Sequence, residues 1–447
     1  MISDQYFFSI THSKHTFFIL ISVFLALLVI ENLDYAVARF SAQFNTSIEG
    51  MTLFIAISIA YILGQAYLLR WMNSSSDTIK ARSKLITNLH RAVSIVQWIL
   101  VGNLILLIIQ MFVLSRYSIL SLTFVSYVSN FFTAGLLVIF ALRFFSWYRS
   151  GNHSLGILLY ALAFFILAVS EVMAGIGSGY ILSQKAEIIT PALKIHFANF
   201  PEGSLLNTFF SSYQYVDYSS FLLILAASAL LLHHYSKKTK RPKMIIIIAL
   251  PVIGYSAVIL DALNIYDTDT NPNLYYYYIF QSQASISGGV LFAFAFWFIS
   301  KRLPESSVKT FLKITALGFI LLYLSNRVDV LSATYPPYGI NSVSLLPLAT
   351  HFVLFGLYSS ALSLSQDITL RNQLRSMARN DENLLSSIGT AQMENEVKRA
   401  IGELKEVADV HEKELEEKTG IETPIAENEV EDYLKQVIEE VNRARKK

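Results

Sequence analysis

Along this chain, long apolar runs alternate with short polar intervals, and the length of each run matches the thickness of a membrane. A helix needs roughly 17 to 25 predominantly apolar residues to cross the hydrocarbon core. Runs of that kind, bounded by charge or turn residues, fall at about 16–38, 51–71, 92–115, 118–142, 154–175, 216–235, 244–264, 275–300, 310–332 and 343–365. They predict an all-α fold, a polytopic integral membrane helix bundle of about ten spans. The first run has no small-residue cleavage site and continues into Glu31 and Asp34, so it reads as a retained helix rather than a signal peptide.

After the tenth run the pattern changes from continuous to periodic. Leu370, Leu374, Met377, Leu384, Ile388 and Ala391 keep a four-three spacing interrupted only by Asp381, and the stripe then shifts to Val397, Ile401, Leu404 and Ala408. Gly420 and Pro424 end that helix, and Val430, Leu434, Val437, Ile438 and Val441 mark one face of a second. The chain therefore divides into a transmembrane bundle, residues 1–366, and a helical tail, residues 367–447. Neither tail helix can bury its stripe alone. The stripe predicts packing of the two on each other or on the bundle's loops, or else a parallel homodimer or a cytoplasmic protein partner held through residues 370–447.

The stretch "DENLLSSIGTAQMENEVKRAI", followed by "KTGIETPIAENEVEDYLKQVIEEV", is similar to the tail of multi-pass membrane proteins of archaea that have no assigned function. The resemblance covers about the last 70 residues. It implies a modular tail, which favours signalling or assembly, and it carries no site residues with it.

Composition sharpens this picture at two points. With 53% hydrophobic and 15% charged residues and a mean hydropathy of +0.46, the chain lies far from soluble averages. The absence of cysteine excludes disulfides, thiolate metal sites, iron–sulfur clusters and cysteine nucleophiles. Charge then sets the topology, because Lys and Arg are retained on the cytoplasmic side during insertion. Lys80, Arg82 and Lys84, then Arg143 and Arg149, then Lys237, Lys238, Lys240, Arg241 and Lys243, then Lys301, Arg302 and Lys309 occupy alternate loops. The intervening loops hold only Arg39, Arg116, Lys185 and Lys194. Both termini are thus expected in the cytoplasm and the bundle in the cell membrane. Of three glycosylation triplets, the one at Asn45 falls outside and those at Asn73 and Asn152 inside. From residue 366 onward the chain holds 19 of its 33 acidic and 13 of its 35 basic residues, so a basic bundle carries an acidic tail. Anionic lipid accounts for the basic face, and no nucleic-acid partner is implied.

Within the bundle the runs repeat. "FFILAVSE" at 164–171 aligns with "FILLYLSN" at 319–326, and "TAGLLVIFALRFF" with "SGGVLFAFAFWFI". Spans three to six and seven to ten then form parallel four-helix repeats.

Ionisable groups inside a bilayer are costly and mark either interfacial snorkelling or a site. Here they recur at one depth. Glu31 and Asp34 are three apart on the first run, Asp261 and Asn264 on the seventh, Asn326 and Asp329 on the ninth beside Arg327, and Glu171 lies on the fifth. Three-residue spacing places both members of a pair on one helical face. Converging faces would make an outward-opening acidic vestibule for a small cationic or polar ligand. Gln65, Asn103, Gln110, Asn130, Gln281, Gln283 and the mid-span His351 read as interhelical hydrogen-bonding groups, and the tyrosines at 275–278 with Tyr213, Tyr215, Tyr218, Tyr335 and Tyr338 as an aromatic belt. The apolar segment 176–215 reads as an interfacial stretch or a lid over the vestibule. Phosphate loops, zinc-protease and nucleophile-elbow motifs are absent; no enzyme activity and no cofactor is expected. The pattern leaves two functions, a receptor-like sensor coupled through its tail, or a secondary transporter of a cation or small polar solute that uses the membrane carboxylates.

Overall fold

The structure is a computed structural model that describes residues 22, 24–26, 48–80, 84–150, 154–191, 204–235, 251–253, 271–303, 306–325, 335–377, 384–399 and 402. Its helices are α1 (Ile48–Lys80), α2 (Lys84–Leu114), α3 (Ile119–Ser150), α4 (Leu155–Ser183), α5 (Leu205–Tyr235), α6 (Asn271–Arg302), α7 (Ser307–Ser325), α8 (Ile340–Gln366), α9 (Ile368–Met377) and α10 (residues 384–399). Among the described residues, seven helices are long and apolar enough to cross a membrane: α1 to α5, α7 and α8. This is a multi-pass, all-α membrane bundle in contact with lipid. The expected runs at 16–38 and 244–264 lie almost wholly outside the described residues, with short helical pieces at 24–26 and 251–253.

Sequence neighbours pack on one another, α3 on α4, α4 on α5, α6 on α7 and α7 on α8, as short loops between spans require. A two-residue ladder pairs Tyr117–Ser118 (β1) antiparallel with Ile188–Ile189 (β2) and ties the α2–α3 turn to the segment after α4. Ile95, Trp98, Ile105, Leu106, Ile109 and Phe112 form an exposed apolar surface on α2, the composition of a lipid-facing stripe. On the inside, Phe164 touches Phe140, Phe144, Tyr160 and Phe319, and Phe319 stacks on Phe296 at 5.4 Å, so an aromatic core joins α3, α4, α6 and α7.

The centre of the architecture is α8, which meets α1, α2, α3 and α7. Its most apolar window is wholly buried. Between apolar helices in lipid there is no hydrophobic drive, so association comes from close packing and hydrogen bonds, and small residues admit close approach. α8 supplies Ser342, Ser344, Ala349, Gly356, Ser359, Ser360 and Ala361, all buried. A β-carbon on Gly356 would collide with the Thr315 hydroxyl and meet the α7 backbone at Phe311 O and Thr315 N at 2.7 Å; one on Gly318 would meet Val353 N at 2.6 Å. The α7–α8 contact is therefore a backbone-to-backbone contact set by two glycines. α8 begins at Gly339, whose φ of 92° favours glycine.

At the other end, which we call the tail side, Asp367 closes α8 and caps α9: its Oδ1 accepts from the Thr369 hydroxyl at 2.6 Å and from the Leu370 N–H at 2.9 Å. Those bonds, the Thr369 hydroxyl foremost, hold the Asp367 carboxyl below its usual range.

The tail does not leave the bundle at residue 367. Leu370, Leu374, Leu384, Leu385, Ile388 and Ala391 are buried in the core, and every residue from Leu384 to Gln392 is buried. The compact unit runs from Met1 to Gln392, and Met393–Lys447 forms a second. Among the described residues of the second unit, 393–399 are helical.

Two outcomes follow. Gly356→Ala forces α7 and α8 apart and destabilises the bundle by about 1–3 kcal/mol, the usual cost of overpacking, read as a lower midpoint of thermal unfolding in detergent. Asp367→Ala loosens the first turn of α9 by about 1 kcal/mol, read by hydrogen exchange over 367–377. Because folding depresses the Asp367 pKa, the cap's contribution is complete above the ordinary carboxylate value near 4 and is lost as pH falls through the lower folded value, so acid should reproduce the variant's exchange.

Candidate functional site

Two separate clusters of buried polar groups lie inside the bundle. The first contains Glu171, the one residue of the expected acidic vestibule that falls among the described residues. Glu31, Asp34, Asp261, Asn264, Asn326, Arg327 and Asp329 all lie outside them. Glu171 is only 1% exposed, deep in the interior face of α4. Its neighbour Ser170 donates a long hydrogen bond, 3.4 Å, to Asp217 Oδ1 on α5. Asp217 is itself 3% exposed, so each of two adjacent helices buries a carboxylate. α4 faces α3 here, as the approach of Gly175 to Phe131 and Asn130 shows. α3 contributes Ser129 and Thr133, both buried and with no hydrogen-bonding partner among the described residues. Asp217 was not among the residues singled out from sequence, because it sits at the start of an apolar run where a polar residue reads as an end marker.

The second cluster is a polar seam between α1, α2 and α8. α1 and α8 run parallel, with Tyr338 beside Gly50 and Phe352 stacked on Trp71. The Tyr338 hydroxyl donates to the Gly50 carbonyl at 2.9 Å, and the Tyr335 ring lies parallel to that of Tyr117 with centroids 6.2 Å apart. Tyr335 and Tyr338 are both buried rather than displayed as a belt. Burial pushes the Tyr117 phenol well above its ordinary pKa, and Tyr335 adds to that rise, so it remains a neutral ring.

Next along the seam, Asn341 Nδ2 donates to Ser58 Oγ at 3.0 Å, and the hydroxyls of Tyr61 and Ser342 meet at 3.1 Å. Gln97 Nε2 then donates both to Gln65 Oε1 and to the Ser344 carbonyl, each at 2.9 Å. Gln65 Nε2 in turn donates to Ser344 Oγ at 2.9 Å, and that hydroxyl donates to the Asn341 carbonyl at 2.6 Å. Pro347 lies three residues further along α8. It has no N–H to give to the carbonyl of Val343, which loosens the helix where Gln97 reaches its backbone.

Towards the tail side, His90 Nδ1 lies 3.3 Å from His351 Nε2, and His90 Nε2 lies 2.7 Å from Asn73 Oδ1. An amide oxygen only accepts, so His90 must carry its proton on Nε2. Its Nδ1 is then the acceptor and His351 donates from Nε2, which leaves His351 Nδ1 as a bare lone pair. That atom is buried and has no hydrogen-bond partner among the described residues.

The seam is ordered by a seven-residue interval, Ser58 to Gln65 on α1, His90 to Gln97 on α2 and Ser344 to His351 on α8. Seven residues are two helical turns, so each helix returns the same face to the seam. From sequence, Gln65 and His351 were visible as interhelical hydrogen-bonding groups. Ser58, Asn73, His90, Gln97 and Asn341 were missed, and the shared interval of seven was the signal that could have found them. Asn73 read there as a chance glycosylation triplet.

Among the described residues, no group of three or more His, Asp or Glu side chains could hold a metal ion. No protein-family model matches this chain, and no curated protein and no solved structure is similar to it.

The network predicts a measurable coupling. Gln65→Leu and Gln97→Leu each destabilise the bundle, and a double-mutant cycle gives an interaction of about 0.6 kcal/mol, the usual worth of an interhelical hydrogen bond in a membrane, in reversible unfolding in mixed micelles.

Proposed function

We propose that this protein is a receptor-like membrane sensor. A small cationic or polar ligand binds in an outward-facing acidic site built on Glu171 and Asp217, completed by Glu31, Asp34, Asp261, Asn264, Asn326, Arg327 and Asp329. Helix displacement there is passed to the cytoplasmic tail. Both termini lie in the cytoplasm, as the loop charges require. The observation that carries this reading is the burial of residues 384–392 in the tail side of the bundle. Leu384 contacts Gly156 near the start of α4, Gly389 faces Leu364 of α8, and Trp147 Nε1 of α3 donates to Gln392 Oε1 at 2.9 Å. α4 thus carries Glu171 towards one end and the tail contact at the other. A helix is stiff over that distance, so a shift at the acidic site reaches the tail as a shift of Gly156.

The second unit, Met393–Lys447, supplies the surface for a cytoplasmic protein partner. The parallel four-helix repeat is supported by one contact: Phe164 and Phe319 occupy aligned positions and stack with centroids 6.4 Å apart. A pseudo-two-fold axis along the membrane normal brings equivalent residues together in that way.

Transport is the second reading, and one observation favours it: Glu171 and Asp217 are buried rather than placed at the interface, as ion-carrying groups are. The absence of cysteine allows a direct comparison. Ile388→Cys and Ala391→Cys, each alone, are exposed to a maleimide in inside-out vesicles, with and without Glu171→Gln or Asp217→Asn. Sensor coupling predicts a several-fold change in labelling rate at the tail when either carboxylate is neutralised. Unchanged labelling at both positions, together with sodium-driven or proton-driven solute uptake that Glu171→Gln abolishes, would replace the sensor with the transporter.

A further inference from the structure

The α1–α2–α8 seam lies on different helices from the acidic site and has its own chemistry. Gly50 to Asn73 spans about 34 Å of helix at 1.5 Å per residue, slightly more than the roughly 30 Å hydrocarbon core. Polar contacts therefore line one face of α1 across the full thickness of the membrane. Apolar packing alone would not put Gln, Asn, His and Ser side chains at every second turn of three neighbouring helices.

The direction of the hydrogen bonds is more informative than their number. In the layer around Gln65, hydrogens run across the layer from Gln97 to Gln65 and to the Ser344 carbonyl and from Gln65 to Ser344, and then from Ser344 one turn back to the Asn341 carbonyl, away from the tail side. In the histidine layer they point towards it, from His351 to His90 and from His90 to Asn73. Neither Gln97 nor His351 donates into the interval between them, because their N–H groups are used within their own layers. At that interval both present bare acceptors, Gln97 Oε1 and His351 Nδ1, each buried and without a hydrogen-bond partner among the described residues. Pro347 falls in the same interval of α8 and denies the Val343 carbonyl its usual donor. Thr350, next to His351 on α8, also buries a hydroxyl without a hydrogen-bond partner among the described residues. Two bare buried acceptors call for a guest that can donate, and water carrying an excess proton is the smallest such guest.

We propose that the seam is a proton pathway, in which water between the Gln97 and His351 layers delivers a proton to His351 Nδ1 and the His351–His90 pair passes it to the cytoplasmic side at Asn73. The steps balance without any other reactant. The incoming proton bonds to His351 Nδ1, the proton on His351 Nε2 moves to His90 Nδ1, and the proton on His90 Nε2 leaves to water beyond Asn73. One proton enters and one leaves, and both imidazoles end neutral in the opposite tautomer. Rotation of the two rings restores the starting arrangement.

The surroundings favour passage over storage. Among the described side chains, the basic groups on the helices packed around the pair are Arg70 of α1, Lys84 and Arg91 of α2, Arg143 and Arg149 of α3, and Lys309 and Lys313 of α7. α2, α3, α7 and α8 contain no acidic residue at all, and those of α1, Glu49 and Asp77, lie near its two ends. An imidazolium held at the pair would sit among helices whose charged residues are mostly basic and would be expensive to keep in the membrane. A concerted transfer avoids holding one.

The inference does not depend on the sensor reading, since it uses neither Glu171 nor Asp217. The test is proton flux into proteoliposomes that hold a trapped pH dye, driven by a potassium diffusion potential. Full-length protein should acidify the lumen faster than protein-free vesicles. His351→Gln keeps an N–H to give to His90 but cannot hand a proton through its side chain, and should lower the protein-dependent rate at least tenfold; His90→Gln serves the same purpose should the first variant fail to insert. Wild-type protein no faster than protein-free vesicles, or an inserted glutamine variant that conducts like wild type, would overturn the pathway and leave the seam as a structural latch.

Discussion

A helix with no face towards lipid must find every partner for its polar atoms among its neighbours, and α8 is such a helix. It also carries an unusual load of them, from Asn341 through Ser344, Thr350 and His351 to Ser365. In water an unmade hydrogen bond can be given to solvent, but inside a bilayer it cannot, and each orphan costs several kcal/mol. The arrangement of the bundle around α8 answers that constraint. α7 approaches its backbone through Gly318 and Gly356, where no polar side chain is needed. α1 and α2 approach it with Ser58, Tyr61, Gln65, His90 and Gln97, which take up part of its hydrogen-bonding groups and leave Thr350 Oγ1, His351 Nδ1 and Ser359 Oγ without partners among the described residues.

The same constraint explains how the tail is treated. Residues 384–392 mix Leu, Ile, Ala and Gly with Ser, Thr and Gln, and they are buried at the tail side of α3, α4 and α8. Gln392 meets the Trp147 indole N–H, a donor that would otherwise face the interior unpaired. Beyond Met393 the chain turns strongly charged, and the compact unit ends there. The limit of the bundle is therefore set by where the apolar stripe runs out, not by where the first charged residues appear after the last span.

Much of the architecture was legible because membrane length is a coarse and strong signal. The helices α1 to α4 cover the runs at 51–71, 92–115, 118–142 and 154–175 to within one residue, and each continues past its run at one end or both because polar turns prolong the helices past the hydrocarbon. The tail stripe through Leu370, Leu374, Leu384, Ile388 and Ala391 was also legible, and all five residues are buried. What covers them was not, since a stripe states only that something must. The polar interior was harder for a different reason. Charged residues stand out in an apolar run, so Glu171 was found, whereas Ser58, Gln97 and Asn341 resemble the uncharged background of any membrane helix. Their meaning comes from which helix faces which, and that is a property of packing rather than of any one segment.

Two polar clusters on separate helices raise the question of why one bundle keeps both. Their shared elements suggest an answer that rests on geometry. α3 flanks the acidic cluster with Ser129 and Thr133 and holds the tail through Trp147. α8 forms one wall of the seam and faces the tail at Leu364. A change in either cluster that shifts α3, α4 or α8 therefore arrives at the same nine buried residues, 384–392. On the sensor reading this gives one output to two inputs, and coupling between them is reciprocal: whatever the acidic site does to the fit of the tail, the tail does to the acidic site. Because α7 and α8 touch through backbone rather than through adjustable side chains, that fit has little compliance, and small displacements at Gly156 or Leu364 have to be taken up by the tail helix itself.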